Sequence, residues 1–117
     1  MLRLLLFFDL NVVHAKELVR AEQRALSVWL GIVTYVVDGD TLYVRPIEGG
    51  KTVNVRIDGI DAPEICQVGG QQARDALKLR VLGHQVMVQR KATDKYGRIV
   101  AEIFQDNVDQ GAQMAAT

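Results

Sequence analysis

Apolar and polar residues alternate along much of the chain from residue 31 onward, and this period of two predicts a domain rich in β-strands. The clearest run spans residues 52–58. Its apolar members are Val53, Val55 and Ile57. The polar members that alternate with them are Asn54, Arg56 and Asp58. Because side chains on a strand point to opposite faces in turn, Arg56 is predicted to lie outside the core.

Four further strands are predicted from β-branched and aromatic runs bounded by turn residues, at residues 32–37, 41–45, 85–90 and 98–104. A helical pattern at residues 70–82 separates the third strand from the fourth. Five short strands with one inserted helix predict a mainly β, α+β fold built on a closed five-stranded OB-type barrel. Residues 106–117 are interpreted as one short helix or a frayed tail.

The segment before the barrel has a different pattern. Apolar residues recur at helical spacing over residues 15–30, so an N-terminal helix is predicted there, ending at Gly31. We therefore divide the chain into an N-terminal segment, 1–30, and a barrel domain, 31–117.

Arg3 and the apolar residues after it are similar to the start of an export signal, but Asp9 and Asn11 interrupt the apolar stretch. Two localisations stay open: secreted or periplasmic if this segment directs export, and cytoplasmic otherwise. No apolar run approaches the ~18 residues that a membrane span needs.

Composition limits the class of protein. The chain has 117 residues, of which 49% are hydrophobic and 24% are charged, and this suits one folded domain with a real core. The formal net charge is zero, yet residues 74–98 hold seven basic and only two acidic side chains. A local basic surface facing an acidic region is therefore compatible with overall neutrality. Cys66 is the single cysteine, so no intrachain disulfide forms.

Two acidic turns are the main candidates for chemistry. Asp38-Gly39-Asp40-Thr41 joins the first two predicted strands, and Asp61-Ala62-Pro63-Glu64 follows the third. If the barrel closes, both turns can lie at one rim. Asp40 and Asp61 would then form an oxygen-only cation site, which suits Ca2+ better than zinc. The alternative is that Asp61 caps its turn and Glu64 is merely exposed.

A third candidate is the hairpin Thr93-Asp94-Lys95-Tyr96-Gly97-Arg98. Lysine and arginine can hold a phosphate, and a tyrosine ring can stack on a base. Taken alone, such a segment is more often an ordinary polar hairpin.

Together these motifs resemble the staphylococcal nuclease, or thermonuclease, family. The resemblance rests on GIVTYVVDGDTLYV at residues 31–44, VNVRIDGIDAPE at 53–64 and TDKYGRIVAEIF at 93–104, in this order and spacing. It implies Ca2+-dependent hydrolysis of phosphodiester bonds in DNA and/or RNA with little sequence specificity.

Roles follow from the resemblance, position by position. Asp40, Asp61 and the carbonyl of Ala62 match the metal ligands, with Asp38 and Thr41 as supporting groups. Three positions match catalytic residues: Glu64 matches the acid that activates or orients the attacking water, and Arg56 and Arg98 match the two arginines that bind the scissile phosphate. Lys95 and Tyr96 match positions that contact the substrate.

The resemblance weakens toward the C-terminus. The family continues with two further helices and an aromatic-containing segment, whereas residues 108–117 resemble only the start of that region. We therefore expect a C-terminally shortened domain. Two alternatives to an active nuclease stay open: a non-catalytic module that binds nucleic acid or protein, and a truncated, inactive remnant.

Overall fold

A computed structural model describes residues 15–17 and 27–116 of the chain. Its strands are β1 (Val28–Asp38), β2 (Thr41–Pro46), β3 (Val53–Ile57), β4 (Gln85–Thr93), β5 (Ile99–Gln105) and the two-residue β6 (Val108–Asp109). Helix α1 (Gly70–Val81) lies between β3 and β4, and helix α2 (Gln110–Ala115) follows β6. The order of elements confirms five strands with one inserted helix.

The sheet closes on itself. Its strand order is β3-β2-β1-β4-β5-β6, and β3 also pairs with β5. The β3–β5 pairing is parallel, with Arg56 opposite Val100, whereas the other pairings are antiparallel. Closure through β3 and β5 produces the predicted five-stranded barrel of the OB type.

Alternating residues of each strand fill the barrel. The core consists of buried aliphatic side chains from β1 to β5 together with two residues of α1, Leu77 and Val81. Val55 and Ile57 are completely buried, whereas their neighbour Arg56 is only partly buried and lies on the outer face. The alternation therefore sends Arg56 outward, as predicted, toward the end of β3 where the second acidic turn begins.

Helix α2 is fixed to the end of the barrel by its first residues. The Asp109 carboxylate accepts hydrogen bonds from the Gly111 and Ala112 N–H groups, which caps the helix. A Cβ atom at Gly111 would lie 2.8 Å from the Asp58 carbonyl oxygen, so the helix packs directly against the chain after β3.

The prediction of a helix through residue 30 is wrong for its last three residues. Val28–Leu30 belong to β1, where they pair with Gln89–Met87 of β4. Gly31 lies within the strand rather than after a helix, and a Cβ there would overlap the Val44 side chain. Residues 15–17 are helical, as expected. The rest of the predicted helix, residues 18–26, and the export-like stretch before residue 15 lie outside the described residues.

Candidate active site

The two acidic turns meet at one rim of the barrel. The backbone carbonyl of Asp40 accepts a hydrogen bond from the Ile57 N–H at 2.7 Å. The side-chain Oδ2 atom of Asp40 accepts one from the Ala62 N–H at 2.9 Å. Both bonds cross from the turn after β1 to the chain around the end of β3. The Asp40 side chain is only 8% exposed, so the contact is shielded from water.

Gly39 allows this close approach. A Cβ at this position would lie 2.7 Å from the Cβ atoms of Ala62 and Ala73. The first acidic turn is therefore packed between the second acidic turn and helix α1, and only a glycine fits there without displacing one of them.

Arg56 links the two aspartates. Its Nη2 atom lies 3.5 Å from Asp40 Oδ2 and 3.5 Å from Asp61 Oδ1, while Nη1 donates to the Ile57 carbonyl at 3.1 Å. Because both carboxylate oxygens lie 3.5 Å from the same Nη2 atom, the distance between them is at most twice 3.5 Å. They differ in exposure, since the Asp61 side chain is 98% exposed.

Thr41 connects Arg98 to this group. Its hydroxyl donates to Asp40 Oδ1 at 3.0 Å and accepts a hydrogen bond from Arg98 Nη1 at 3.4 Å. Thr41 also pairs with Arg56 across β2 and β3. The two guanidinium groups, from separate parts of the sequence, thus converge beside the Asp40 carboxylate.

Asp94 orients Arg98 and was not among the predicted site residues. Its Oδ2 accepts from Arg98 Nε at 2.8 Å, and its Oδ1 accepts the N–H groups of Tyr96 and Arg98, both at 2.9 Å. Desolvation acts to raise the pKa of Asp94, but these hydrogen bonds and the Arg98 charge outweigh it, so the pKa lies below its ordinary value. An acid four residues before an arginine across a turn was the signal available in the sequence.

Asp38 lies behind Asp40. Its Oδ1 accepts the Asp40 N–H at 3.1 Å, which closes the turn. Desolvation raises the pKa of Asp38 above its ordinary value, and the neighbouring Asp40 carboxylate raises it further. The first acidic turn therefore concentrates negative charge in a partly buried place.

The two predicted substrate-binding residues extend from the hairpin. Lys95 Nζ lies 5.2 Å from the centroid of the Tyr96 ring, and Arg98 Cζ lies 5.4 Å from it. Tyr96 is 72% exposed. The ring is thus held beside the Arg98 guanidinium by cation–π attraction and remains open to solvent.

Within residues 27–116, the Glu64 carboxylate is the one charged group of the predicted site that forms no hydrogen bond, ion pair or cation–π contact with the other site residues. Glu64 is exposed, and its backbone N–H and carbonyl bond to the side chain and backbone of Gln67, each at 2.8 Å. These bonds fix the chain at the end of the second acidic turn and leave the carboxylate free in solution.

The donor set fits a hard cation. Asp40 and Asp61 direct carboxylate oxygens at the same Arg56 nitrogen, and oxygen ligands of this kind suit Ca2+. Ala62 meets Asp40 through its N–H. Among the described residues no three His, Cys, Asp or Glu side chains form a metal-binding group, so backbone oxygens and water would have to complete the coordination.

Comparisons with known proteins identify the family of the chain. Residues 54–116 match the family described as "Staphylococcal nuclease homologue". Among curated relatives, the chain is 40% identical over 74 residues to "Protein ParB" of Escherichia coli, and 39% identical over 74 residues to an "Uncharacterized endonuclease" of the same organism. Both alignments cover 63% of this chain, with 41% and 47% of the relatives.

A longer alignment is found with "Micrococcal nuclease" of Shigella flexneri, at 32% identity over 108 residues, covering 92% of this chain and 61% of the relative. The chain thus spans roughly half the length of these curated relatives. Among the helices within the described residues, none is long and apolar enough to cross a membrane. The family match extends over more than half of the chain and includes Arg56, the second acidic turn and the Arg98 hairpin. The chain therefore belongs to the staphylococcal nuclease family, as the sequence motifs predicted.

Proposed function

We propose that this protein hydrolyses phosphodiester bonds in DNA and/or RNA with Ca2+ as cofactor and with little sequence specificity. The observation that supports this most is the position of Arg56, whose Nη2 atom is 3.5 Å from both Asp40 and Asp61. Two carboxylates suited to a cation lie beside this guanidinium, and Thr41 links the second guanidinium, that of Arg98, to Asp40.

Arg56 and Arg98 bind the scissile phosphate. Attack on a phosphodiester builds negative charge on the phosphate oxygens, and prearranged cationic donors stabilise that charge. Arginine is suited to this because its planar guanidinium contacts two oxygens at once. Asp94 holds the Arg98 side chain through its Nε atom, which leaves Nη1 directed at Thr41 and the centre of the site.

Asp40, Asp61 and the carbonyl of Ala62 would hold the cation, with Asp38 and Thr41 supporting Asp40. A bound Ca2+ would supply Lewis-acid stabilisation of the phosphate. Arg56 lies 3.5 Å from both carboxylates, so its guanidinium would be available to a phosphate bound at the same place.

Glu64 acts as general base toward the attacking water. Its carboxylate is free of protein partners within residues 27–116, and an unpaired carboxylate is available to accept a proton. Lys95 and Tyr96 bind the nucleotide next to the cleaved bond, with the exposed Tyr96 ring available for stacking.

A plasmid-nicking assay tests the function. We expect supercoiled plasmid to be converted to open circles in Ca2+ and to stay intact in EDTA, with Asp40→Asn losing the activity. Arg80→Ala is the control, because it removes one positive charge from α1 outside the site. Nicking that is unaffected by EDTA or by Asp40→Asn would contradict the proposal.

The same preparation separates the two alternatives. A non-catalytic module would bind the plasmid without nicking it, and an inactive remnant would show no cooperative melting transition by circular dichroism.

A further inference from the structure

Three side chains form a row on the outer face of the barrel, next to the candidate active site. Tyr35 of β1 is opposite Tyr43 of β2, and Tyr43 is opposite Asn54 of β3. Directly opposite residues share a face of the sheet, so the three side chains point the same way. We call them the tyrosine row.

The tyrosine row runs beside the Thr41–Arg56 pair. Thr41 and Arg56 are opposite each other and lie two residues from Tyr43 and Asn54 on the same strands. Two residues along a strand span about 7 Å and return to the same face. Arg98 is also close, since it immediately precedes Ile99, which pairs with Val55 beside Asn54.

The Tyr35 ring is open to solvent although it is large and apolar. Tyr35 is 59% exposed, whereas Tyr43 is half-buried. The two ring centroids are 6.0 Å apart, and the ring planes are inclined at 52°. Tyr43 therefore supports Tyr35 from one side and fixes its orientation, while much of the Tyr35 ring surface is left for another planar group.

Asn54 adds an unpaired polar group to the row. Its side-chain oxygen is buried and has no hydrogen-bond partner among the described residues. Buried acceptors are normally paired, so this oxygen would gain a partner if the amide rotated outward to meet a donor on a bound ligand. The edge of a nucleobase presents N–H donors of this kind.

We propose that the tyrosine row is a second base-stacking subsite for single-stranded nucleic acid, with Tyr35 as its platform. This inference rests on the proposed nuclease function. The nucleotide held there neighbours the one whose phosphate lies at Arg56 and Arg98. Tyr96 contacts Arg98 from the hairpin, whereas the tyrosine row approaches from β1 and β2, so the strand is held by aromatic rings from two separate elements.

The test measures binding separately from cleavage. A fluorescently labelled strand of eight thymidines is titrated with protein in EDTA, and Kd is read from fluorescence anisotropy. We expect Tyr35→Leu to raise Kd by about five-fold to a hundred-fold, the loss of one stacked base. Tyr35→Phe keeps the ring and should stay within about two-fold of wild type. Leu79→Ala, another exposed apolar side chain but on α1, should also leave Kd unchanged.

A scan of the strand identifies the stacked base. Each thymidine is replaced in turn by an abasic site, and wild-type protein should lose affinity strongly at the position that occupies the subsite. With Tyr35→Leu protein, an abasic site at that position should no longer lower the affinity. The ring that stacks on the base is already missing, so removing the base as well has no further effect. If Tyr35→Leu does not fold, the scan with wild-type and Tyr35→Phe protein still has to show one position at which an abasic site strongly lowers the affinity.

Equal Kd values for wild type and Tyr35→Leu would overturn the subsite, and so would an abasic scan that is the same in both. Wild-type protein that does not bind the strand would overturn it as well. Failure of the proposed nuclease function has a different signature, namely normal binding in EDTA with no nicking of plasmid in Ca2+.

Discussion

The acidic turns and the β4–β5 hairpin face the same site but are held in place by different means. The turn that contains Asp40 is fixed by two backbone hydrogen-bond donors from the chain around the end of β3, and by Gly39 packed against Ala62 and Ala73. The hairpin at residues 94–98 is largely exposed, and one side chain, Asp94, accepts the hydrogen bonds that fix Arg98.

The difference separates two tasks. A cation is held best by ligands that are already in place, and the packing around Gly39 fixes Asp40, one of the two proposed carboxylate ligands, in this way. A phosphate-binding segment has to accept and release a large substrate. The exposed hairpin is held by the Asp94 carboxylate and by backbone hydrogen bonds of Asp94 to Arg98 and Gly97, so it can move with less loss of packing. We therefore expect changes in the acidic turns to affect folding and catalysis together, and changes in the hairpin to affect mainly catalysis.

The largest effect is expected from Arg56→Ala. It removes a proposed donor to the phosphate and leaves Asp40 and Asp61 without their shared partner. Loss of such a donor costs roughly 3 kcal/mol of transition-state stabilisation, which is about a hundred-fold in kcat. Initial rates on a labelled oligonucleotide measure the loss, and circular dichroism melting checks the fold.

Arg98→Ala is the matched variant in the hairpin. It should lower kcat to a similar extent with a smaller change in melting temperature, because Arg98 bonds to Asp94 and Thr41 at the edge of the site. Near-normal turnover in both variants would remove the proposed mechanism. Equal losses of melting temperature would remove the contrast between the two regions.

The sequence predicted the barrel well because its strands alternate cleanly. Residues 53–57 are an example, where period-two alternation and the following Gly59 give both the strand and its exposed face. The helix prediction for residues 28–30 was wrong because Trp29 also fits a helical stripe of apolar residues. Only the pairing with β4 decides between a helix and a strand here. Tertiary pairing is not visible in local periodicity.

The parts of the candidate site that depend on sequence motifs could be predicted. The parts that depend on how β1 is aligned with β2 could not. Asp40, Asp61 and Arg56 come together because the barrel closes, which the strand count already implied. The tyrosine row depends on an irregularity in β1 between Val33 and Tyr35 that sets which residues face outward. An irregularity of this kind shifts the alternation by one residue, and no turn residue or proline marks it in the sequence.

The next largest effect is expected from Gly39→Ala. The new Cβ would lie 2.7 Å from two other Cβ atoms, and neither belongs to a flexible side chain that can move aside. The second acidic turn or α1 must shift, which should cost about 1–3 kcal/mol of unfolding free energy. Turnover should fall too, because Ala62 and Asp61 move together. Urea denaturation and initial rates measure the two effects.

Gly83→Ala is the control for this prediction. Gly83 follows α1, has φ +78° and has open space around it, so the substitution costs about 1 kcal/mol through backbone strain alone. It should leave the acidic turns and the hairpin in place. If Gly39→Ala is no more harmful to turnover than Gly83→Ala, the close packing of the first acidic turn is not important for the site.

A pH-dependent effect is expected for Asp94. Because its pKa lies below the ordinary value, the charged form stabilises the folded state. That stabilisation is complete above the unfolded pKa near 3.9 and is lost as the pH falls through the lower folded pKa. Asp94→Asn should therefore be less stable than wild type at pH 7, and the two should converge in strongly acidic buffer.

Thermal melts from neutral to strongly acidic pH measure this convergence. Asp75→Asn is the control, since Asp75 forms a more exposed ion pair with Arg74 at 3.4 Å. A stability difference between wild type and Asp94→Asn that is constant with pH would show that Asp94 acts through its shape or neutral hydrogen bonding rather than its charge.

The smallest effect is expected from Lys91→Ala, which tests whether the hairpin acts by position or merely by charge. Lys91 lies on β4 near the hairpin, and its Nζ is 3.1 Å from Glu102 Oε1 in a partly exposed ion pair. Such pairs contribute about 0–1 kcal/mol, so stability should change by about 0.5 kcal/mol or less and turnover should be unaffected.

Lys95→Ala removes the same charge beside Tyr96 and should raise KM measurably. If both variants raise KM equally, and the rise vanishes at high salt, the hairpin attracts substrate through general positive charge, and the placement of Lys95 against the Tyr96 ring has no separate role.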